Sequence, residues 1–279
     1  MGKLFIVATP IGNLADMTFR AVEILRAVDL IAAEDTRHSS VLLKEFGITT
    51  RMVSYHKHNF MAREHRILHA LETGDVALIS DAGTPGIADP GVEIVAAAFA
   101  AGHAVTPIPG ASAITAAVSV SGLVTGPFLF LGFLPRSGED RRVALGKAVA
   151  SGFPLVVYEA PNRVAATLDD LRASCGDRRT IVARELTKLH EELKAGTLDE
   201  LVEHFGGSTP RGEFVIVVGA EDDPTKDESD VGAVIRRLLD DGLKPSRVAR
   251  EASAITGLSG SDVYDLVRQI VKERSLTKD

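Results

Sequence analysis

ALISDAGTPGIADP, residues 77–90, opens as an apolar run, halts at an acid, Asp81, and then passes through Gly83, Pro85 and Gly86. Pro90 and Gly91 lead into Val92–Ala101, a run of helical composition. The pattern reads as strand, tight loop, helix. Glycine adopts backbone angles that other residues resist and lets a ligand approach the main chain closely. Asp81 would stand at the carboxyl end of its strand, where open α/β sheets hold their ligands. Gly/Pro clusters also mark ordinary turns, so this spacing alone leaves a ligand loop and a plain turn both open.

Upstream, the same alternation repeats. Leu4–Ala8 is a continuous apolar run, as in a buried parallel strand, followed by the loop Thr9–Asn13 and a helix Phe19–Val28 capped by Asp16 or Thr18. Leu30–Ala33 reads as a second strand, with a helix started by Ser39 or Ser40 and running to Phe46. Met52–Tyr55 is a third strand and Ala62–Glu72 an amphipathic helix. Downstream of the quoted stretch, Val105–Ile108 is a fifth strand. Alternating strands and helices with short connections predict a mostly parallel sheet. Each strand ends in a polar or Gly/Pro cluster: TPIGN, EDTRH, HKHN, SDAGTPG and PGAS. These ends belong along one edge of the sheet. Loops are polar in general, but five such ends together favour a ligand edge.

Beyond Gly122 the texture changes. Strand-like runs at Phe128–Leu134, Leu155–Tyr158, Thr180–Ala183, Glu191–Ala195 and Phe214–Val218 outnumber the helices Arg141–Ala150, Val164–Ala173 and Leu198–Phe205. This predicts an α+β domain with mixed pairing. The expected organisation is therefore an α/β domain over 1–122, a second α+β domain over 123–220, an acidic linker over 221–230 and a helical tail over 231–279. The linker, EDDPTKDESD, carries six acids, a composition that stays solvated. The tail reads as three short helices, Val231–Asp240, Ser246–Ala254 and Asp262–Val271, with Ser246 and Ser261 as caps.

Composition narrows the class. The 279 residues are 45% apolar and 25% charged with a net charge of −7, so the surface as a whole is not that of a uniformly basic nucleic-acid binder. A single cysteine, Cys175, excludes an internal disulfide and a cysteine-cluster metal site. No apolar run reaches the length of a membrane span, and a cytoplasmic location is the expectation. G-x-G-x-x-G after a strand, the P-loop and G-x-S-x-G are all missing. His56 and His58 would share one strand face, but no acid or cysteine lies close in sequence, so no metal is expected. Acids at strand ends (Glu34, Asp35, Asp81, Glu159, Glu185, Glu213) are candidates for proton chemistry, and Arg37, Lys57, Arg136, Arg163, Arg184 and Lys188 for anion binding. Mutual ion pairing among these groups is the competing reading.

Eight blocks in one order carry a resemblance: TPIGNLADMT (9–18), AAEDTRHS (32–39), SDAGTPGIADPG (80–91), PIPGASA (107–113), GFLPR (132–136), YEAPNR (158–163), ARELTK (183–188) and GEFVIVV (212–218). Together they resemble the bacterial small-subunit ribosomal RNA methyltransferases that modify a cytidine ribose 2′-hydroxyl, a branch of the tetrapyrrole methylase superfamily. The likeness covers about residues 3–220. It implies a two-domain tetrapyrrole-methylase-like α/β fold rather than the usual methyltransferase Rossmann fold. It also implies S-adenosylmethionine bound between the domains, a homodimer, and 16S ribosomal RNA in the small subunit as partner. By matching position, the implied cofactor-binding residues are Pro10, Asp81, Gly83, Thr84, Ser112, Ala113, Glu159, Gly212 and Glu213.

Where tetrapyrrole enzymes show a glycine-rich first loop this chain has TPIGN, which fits the RNA branch. A 2′-hydroxyl is a poor nucleophile, so a base helps; Glu34 and Glu185 are the expected catalytic residues. Arg37, Lys57, Arg136, Arg163, Arg184 and Lys188 are the expected RNA contacts. The competing readings are a tetrapyrrole C-methyltransferase and a ribosome-binding factor without catalysis.

Overall fold

The computed structural model describes residues 2–55, 60–136, 138–207, 210–220 and 228–276. His56, Lys57 and His58 lie outside the described residues, as does most of the acidic stretch. The chain divides into two compact units, Met1–Gly219 and Ala220–Asp279.

The first unit contains two five-stranded sheets. In one, β1 (Lys3–Val7), β2 (Leu30–Ala33), β3 (Met52–Ser54), β4 (Val76–Ile79) and β5 (Ala104–Ile108) are all parallel, in the order β3-β2-β4-β1-β5. Every residue of β2 and β4 is buried, which is why both read as uninterrupted apolar runs. Pro107 lies in β5, an edge strand, where a missing N–H is tolerated. The helices α1 (Phe19–Ala27), α2 (Thr36–Glu45), α3 (Phe60–Thr73), α4 (Val92–Ala100) and α5 (Ala113–Ser121) supply the crossovers and the exit from β5. From β1 the chain crosses towards β2; from β4 it crosses the other way, to β5. β1 and β4 are neighbours, so the crevice between their carboxyl ends is the switch point at which such sheets bind ligands.

The second sheet is mixed, as expected. β6 (Leu129–Phe133), β7 (Leu155–Glu159), β8 (Arg179–Arg184), β9 (Glu192–Thr197) and β10 (Phe214–Val218) follow the order β6-β7-β10-β8-β9. Only β6 and β7 pair in parallel; the other pairs are antiparallel. β10 is central and buried throughout, and its alternate residues serve two cores. Phe214, Ile216 and Val218 join the core beneath α6 (Glu139–Val149), α7 (Val164–Cys175) and α8 (Leu198–Gly206). Val215 and Val217 pack the opposite way, with Val156 and Ala183, against Ile11 and Ala117 of α5. The helix α5 thus links the two sheets through apolar contact.

The second unit holds α9 (Glu228–Asp240), α10 (Pro245–Thr256) and α11 (Gly260–Leu276) around its own core of Val231, Ile235, Val248, Ala252, Val263 and Val267.

Several local expectations need correction. The helix α2 starts at Thr36, not at Ser39 or Ser40, because Asp35 accepts the Arg37 amide at 2.8 Å and acts as its N-cap. The helix α5 was not anticipated. In the tail, α10 begins with Pro245 at its first position and has no side-chain cap from Ser246. Ser259, not Ser261, accepts the Asp262 amide of α11. The helix α9 begins at Glu228, inside the stretch expected to be linker.

Candidate active site

The loops leaving β1 and β4 meet at the switch point. Thr9 and Gly83 exchange both backbone hydrogen bonds, at 2.9 and 3.1 Å, as an isolated antiparallel bridge. The buried Thr9 hydroxyl also donates to the Ser80 carbonyl at 3.2 Å. Gly83 has φ of +78°, a value that favours glycine. The carboxyl ends of β2 and β4 are tied as well: the Asp35 amide donates to Asp81 Oδ1 at 3.1 Å and the Asp81 amide to Glu34 Oε2 at 3.4 Å.

Above this crevice lies a cavity of about 340 Å³, within the usual range of roughly 300–1,000 Å³ for small-molecule sites. The first sheet contributes Gly83, Thr84, Asp89, Ser112 and Ala113; the second contributes Phe133, Tyr158, Glu159, Ala183, Glu213 and Val215. Tyr158 stands edge-on to Phe130 and Phe133, with ring centroids 4.9 and 5.6 Å away, so one wall is aromatic. Next to this wall, Ser112 occupies the N-cap of α5 without a side-chain cap bond, and the Ile114 amide hydrogen-bonds the Tyr158 hydroxyl. The first amides of that helix, and the positive end of its dipole, lie at the pocket. An apolar, partly aromatic wall beside a helix start suits a ligand with a flat heterocycle and an anionic group. S-Adenosylmethionine has both, in its adenine and its carboxylate.

Six of the nine expected cofactor-binding residues line this one cavity: Gly83, Thr84, Ser112, Ala113, Glu159 and Glu213. Pro10, Asp81 and Gly212 do not line it. Asp81 is the strap between β2 and β4 described above. Gly212 lies against Glu185, so close that an added Cβ would collide with that side chain.

Glu159 lines the cavity, but its carboxylate is turned away into the protein. Its side chain is 0% exposed, and it accepts from the Thr167 hydroxyl at 2.5 Å and the Ala160 amide at 2.9 Å. Thr167 in turn accepts from the buried Arg141, which also bonds Asp170 and the Pro135 carbonyl. Arg163, expected to face RNA, instead pairs with Glu159 at 3.3 Å and donates to the carbonyls of Leu134 and Pro135. It fixes the loop that carries Arg136.

Other expected RNA contacts divide similarly. Arg184 is engaged with the Arg211 carbonyl and Glu192 and lies over the Phe214 ring. Lys188 Nζ sits between Glu185 at 2.8 Å and Glu213 at 3.0 Å. Burial pulls the Lys188 pKa down, but its two carboxylate hydrogen bonds outweigh that and raise it. Arg37 is 90% exposed and pairs with Asp35, holding that carboxyl well below the usual range. Arg136 is exposed, with no ion-pair partner among the described residues.

The two expected bases differ. The Lys188 ammonium hydrogen bond holds the Glu185 pKa down, which makes Glu185 a weaker proton acceptor. Glu34 is half-buried, and burial raises its pKa, but it does not line the pocket and accepts from the Asp81 amide. Sequence reasoning passed over Asp89, Tyr158, Phe133 and Leu186, all of them pocket residues inside or beside the eight blocks. Burial, then the Glu34 and Asp81 carboxylates, push Asp89 up to about 6. Burial pushes Tyr158 up to about 12, so it remains a phenol at neutral pH.

A pocket at the switch point of a parallel sheet, closed by a mixed second sheet, defines the architecture of the tetrapyrrole-type methylases. The chain belongs to that family, Tetrapyrrole (Corrin/Porphyrin) Methylases, whose model matches residues 3–202. It is 47% identical over 271 residues to the ribosomal RNA small subunit methyltransferase I of Synechocystis sp., covering 95% of this chain and 97% of that one. It is 41% identical over 275 residues to the protein of the same name from Halalkalibacterium halodurans, covering 96% and 95%. In fold it is similar to a crystal structure of diphthine synthase, with a TM-score of 0.62 at 17% identity over 79% of this chain and 90% of that one.

Proposed function

We propose that this protein is an S-adenosylmethionine-dependent methyltransferase of small-subunit ribosomal RNA, and that its acceptor is the ribose 2′-hydroxyl of a cytidine in 16S RNA. The observation that carries the reading is the single cavity shared by Gly83, Thr84, Ser112, Ala113 and Glu213, in a chain whose near-full-length relatives bear the small-subunit methyltransferase name. When bound, S-adenosylmethionine supplies an electrophilic methyl group on a sulfonium centre. Gly83, Thr84, Ser112 and Ala113 would hold it through main-chain groups, beside the wall of Phe133, Tyr158 and Val215. Methyl transfer to oxygen is an in-line displacement, so a rigid pocket contributes by fixing donor and acceptor in register.

The remaining residues take supporting roles in this reading. Arg37 and Arg136, both exposed, would meet RNA phosphates. Arg163, Arg184 and Lys188 act through the loops they brace. Glu34 and Glu185 tune the electrostatics at the pocket edge. The target nucleotide would be splayed out of its stack to reach the cavity. The proposal includes a cytoplasmic location and a homodimer; sedimentation of the purified protein tests the latter.

The test offers methyl-labelled S-adenosylmethionine with assembled small subunits, naked 16S RNA or a uroporphyrinogen-like tetrapyrrole, followed by nuclease digestion and nucleoside analysis. Label in a 2′-O-methylcytidine is expected. Label on a base or on the tetrapyrrole overturns the reading, as does RNA binding without transfer.

A further inference from the structure

Three acidic residues line the cavity, Asp89, Glu159 and Glu213. Two are already committed. Glu159 is fully buried and saturated by Thr167, Ala160 and Arg163. Glu213 is paired with Lys188 at the rim. Asp89 has no cationic partner among the described residues. The groups that act on it are the Ser80 hydroxyl, which hydrogen-bonds it, and the carboxylates of Glu34 at the end of β2, Asp81 after β4 and Glu213 before β10. The Tyr158 phenol of β7 feels the Asp89 charge in turn. Asp89 also follows Ala88, which has φ of +65°, a strained left-handed value for a residue with a Cβ.

We propose that Asp89 is the catalytic base of the transfer, the group that takes the proton of the acceptor hydroxyl; this rests on the methyltransferase reading above. As the acceptor oxygen forms its bond to the methyl carbon, the carbon–sulfur bond breaks and leaves its electron pair on sulfur. The hydroxyl proton passes to the Asp89 carboxylate and then to water. An acceptor carboxylate is useful when it is ionised at working pH yet still basic. A half-buried aspartate among acids, with no neutralising cation, meets both conditions. Glu34 does not line the cavity, and Glu185 is neutralised by Lys188.

The test compares the full-length wild type with Asp89→Asn, Asp89→Glu and Glu34→Gln, using small subunits that lack the modification and labelled S-adenosylmethionine at saturation, between pH 5 and 9. Calorimetry gives the S-adenosylmethionine Kd of each variant and shows that each is folded. The expected wild-type rate falls on the acid side at or below about pH 6, because a bound sulfonium favours the ionised carboxylate. Asp89→Asn should lower kcat by about 10²- to 10⁴-fold, abolish the acid limb and leave the Kd within about threefold. Asp89→Glu should recover part of the rate, and Glu34→Gln should keep the limb but move it to lower pH, since the Glu34 charge helps to raise Asp89. An Asp89→Asn enzyme with near-wild-type kcat overturns the inference. So does one with a much weaker Kd and an unchanged saturated rate, which would make Asp89 a holder of the donor's positive charge. A wild type that methylates no subunit overturns the functional reading together with this inference.

Discussion

At Glu159 a carboxylate expected to hold cofactor is instead the centre of a buried hydrogen-bond network that runs through Thr167 to Arg141 and directly to Arg163. Removing one member of such a network leaves the others buried and unpaired. Glu159→Ala should therefore destabilise the protein by about 3 kcal/mol and Thr167→Val by about 1–3 kcal/mol, both measured by urea unfolding. Asp89 behaves in the opposite sense. Its native pKa, about 6, lies above the unfolded value of 3.8. Its contribution to stability is fully present below about pH 4 and is lost as pH rises through about 6. Asp89→Asn should then be more stable than wild type at pH 7–8, by on the order of 1 kcal/mol after discounting for solvent screening, with the gap closing towards pH 4. Which carboxylate does what was not legible in the chain. Glu159 and Glu185 are both acids at strand ends, and only the Glu185–Lys188 pairing, three residues apart, can be read locally; the Thr167 hydroxyl on Glu159 and the lack of a cation at Asp89, in the loop before α4, emerge only in the fold.

Among the elements, those that carry the site were legible where a single local cause sets them. β2, β4 and β10 are buried on both faces and so are unbroken apolar runs. The loops after β1, β4 and β5 announce themselves by glycine and proline. The helix α5 did not, because AITAAVSVS has no charged face: Ala117 and its neighbours pack against the second sheet, so there is no polar stripe to set a period. The start of α2 is hidden in the sequence because Asp35, at the end of β2, looks as much like a site acid as a cap. Capping matters elsewhere too. Thr197 and Glu200 form a reciprocal capping box at the start of α8, whose Leu198, Leu201 and Phe205 are buried. Thr197→Ala should cost about 1 kcal/mol, read as a shift in the urea midpoint with no change in slope.

On the scale of the whole molecule, neither sheet makes the pocket alone. The parallel sheet offers main-chain loops and the start of α5; the mixed sheet offers an aromatic wall and strand-end acids. The order β6-β7-β10-β8-β9 could not be read from the chain, since which strands pair depends on the packing of α6, α7 and α8 rather than on any local signal. The tail, with a core of its own, shows why a helical pattern can reveal an element without revealing its use. The most direct measurement of the central claim is a calorimetric titration of the full-length protein with S-adenosylmethionine, alongside Ala82→Trp, which places a bulky ring at an exposed residue of the cavity wall. The account predicts saturable binding to the wild type and its loss in the folded variant. No binding by folded wild type, or equal binding by both, would contradict it.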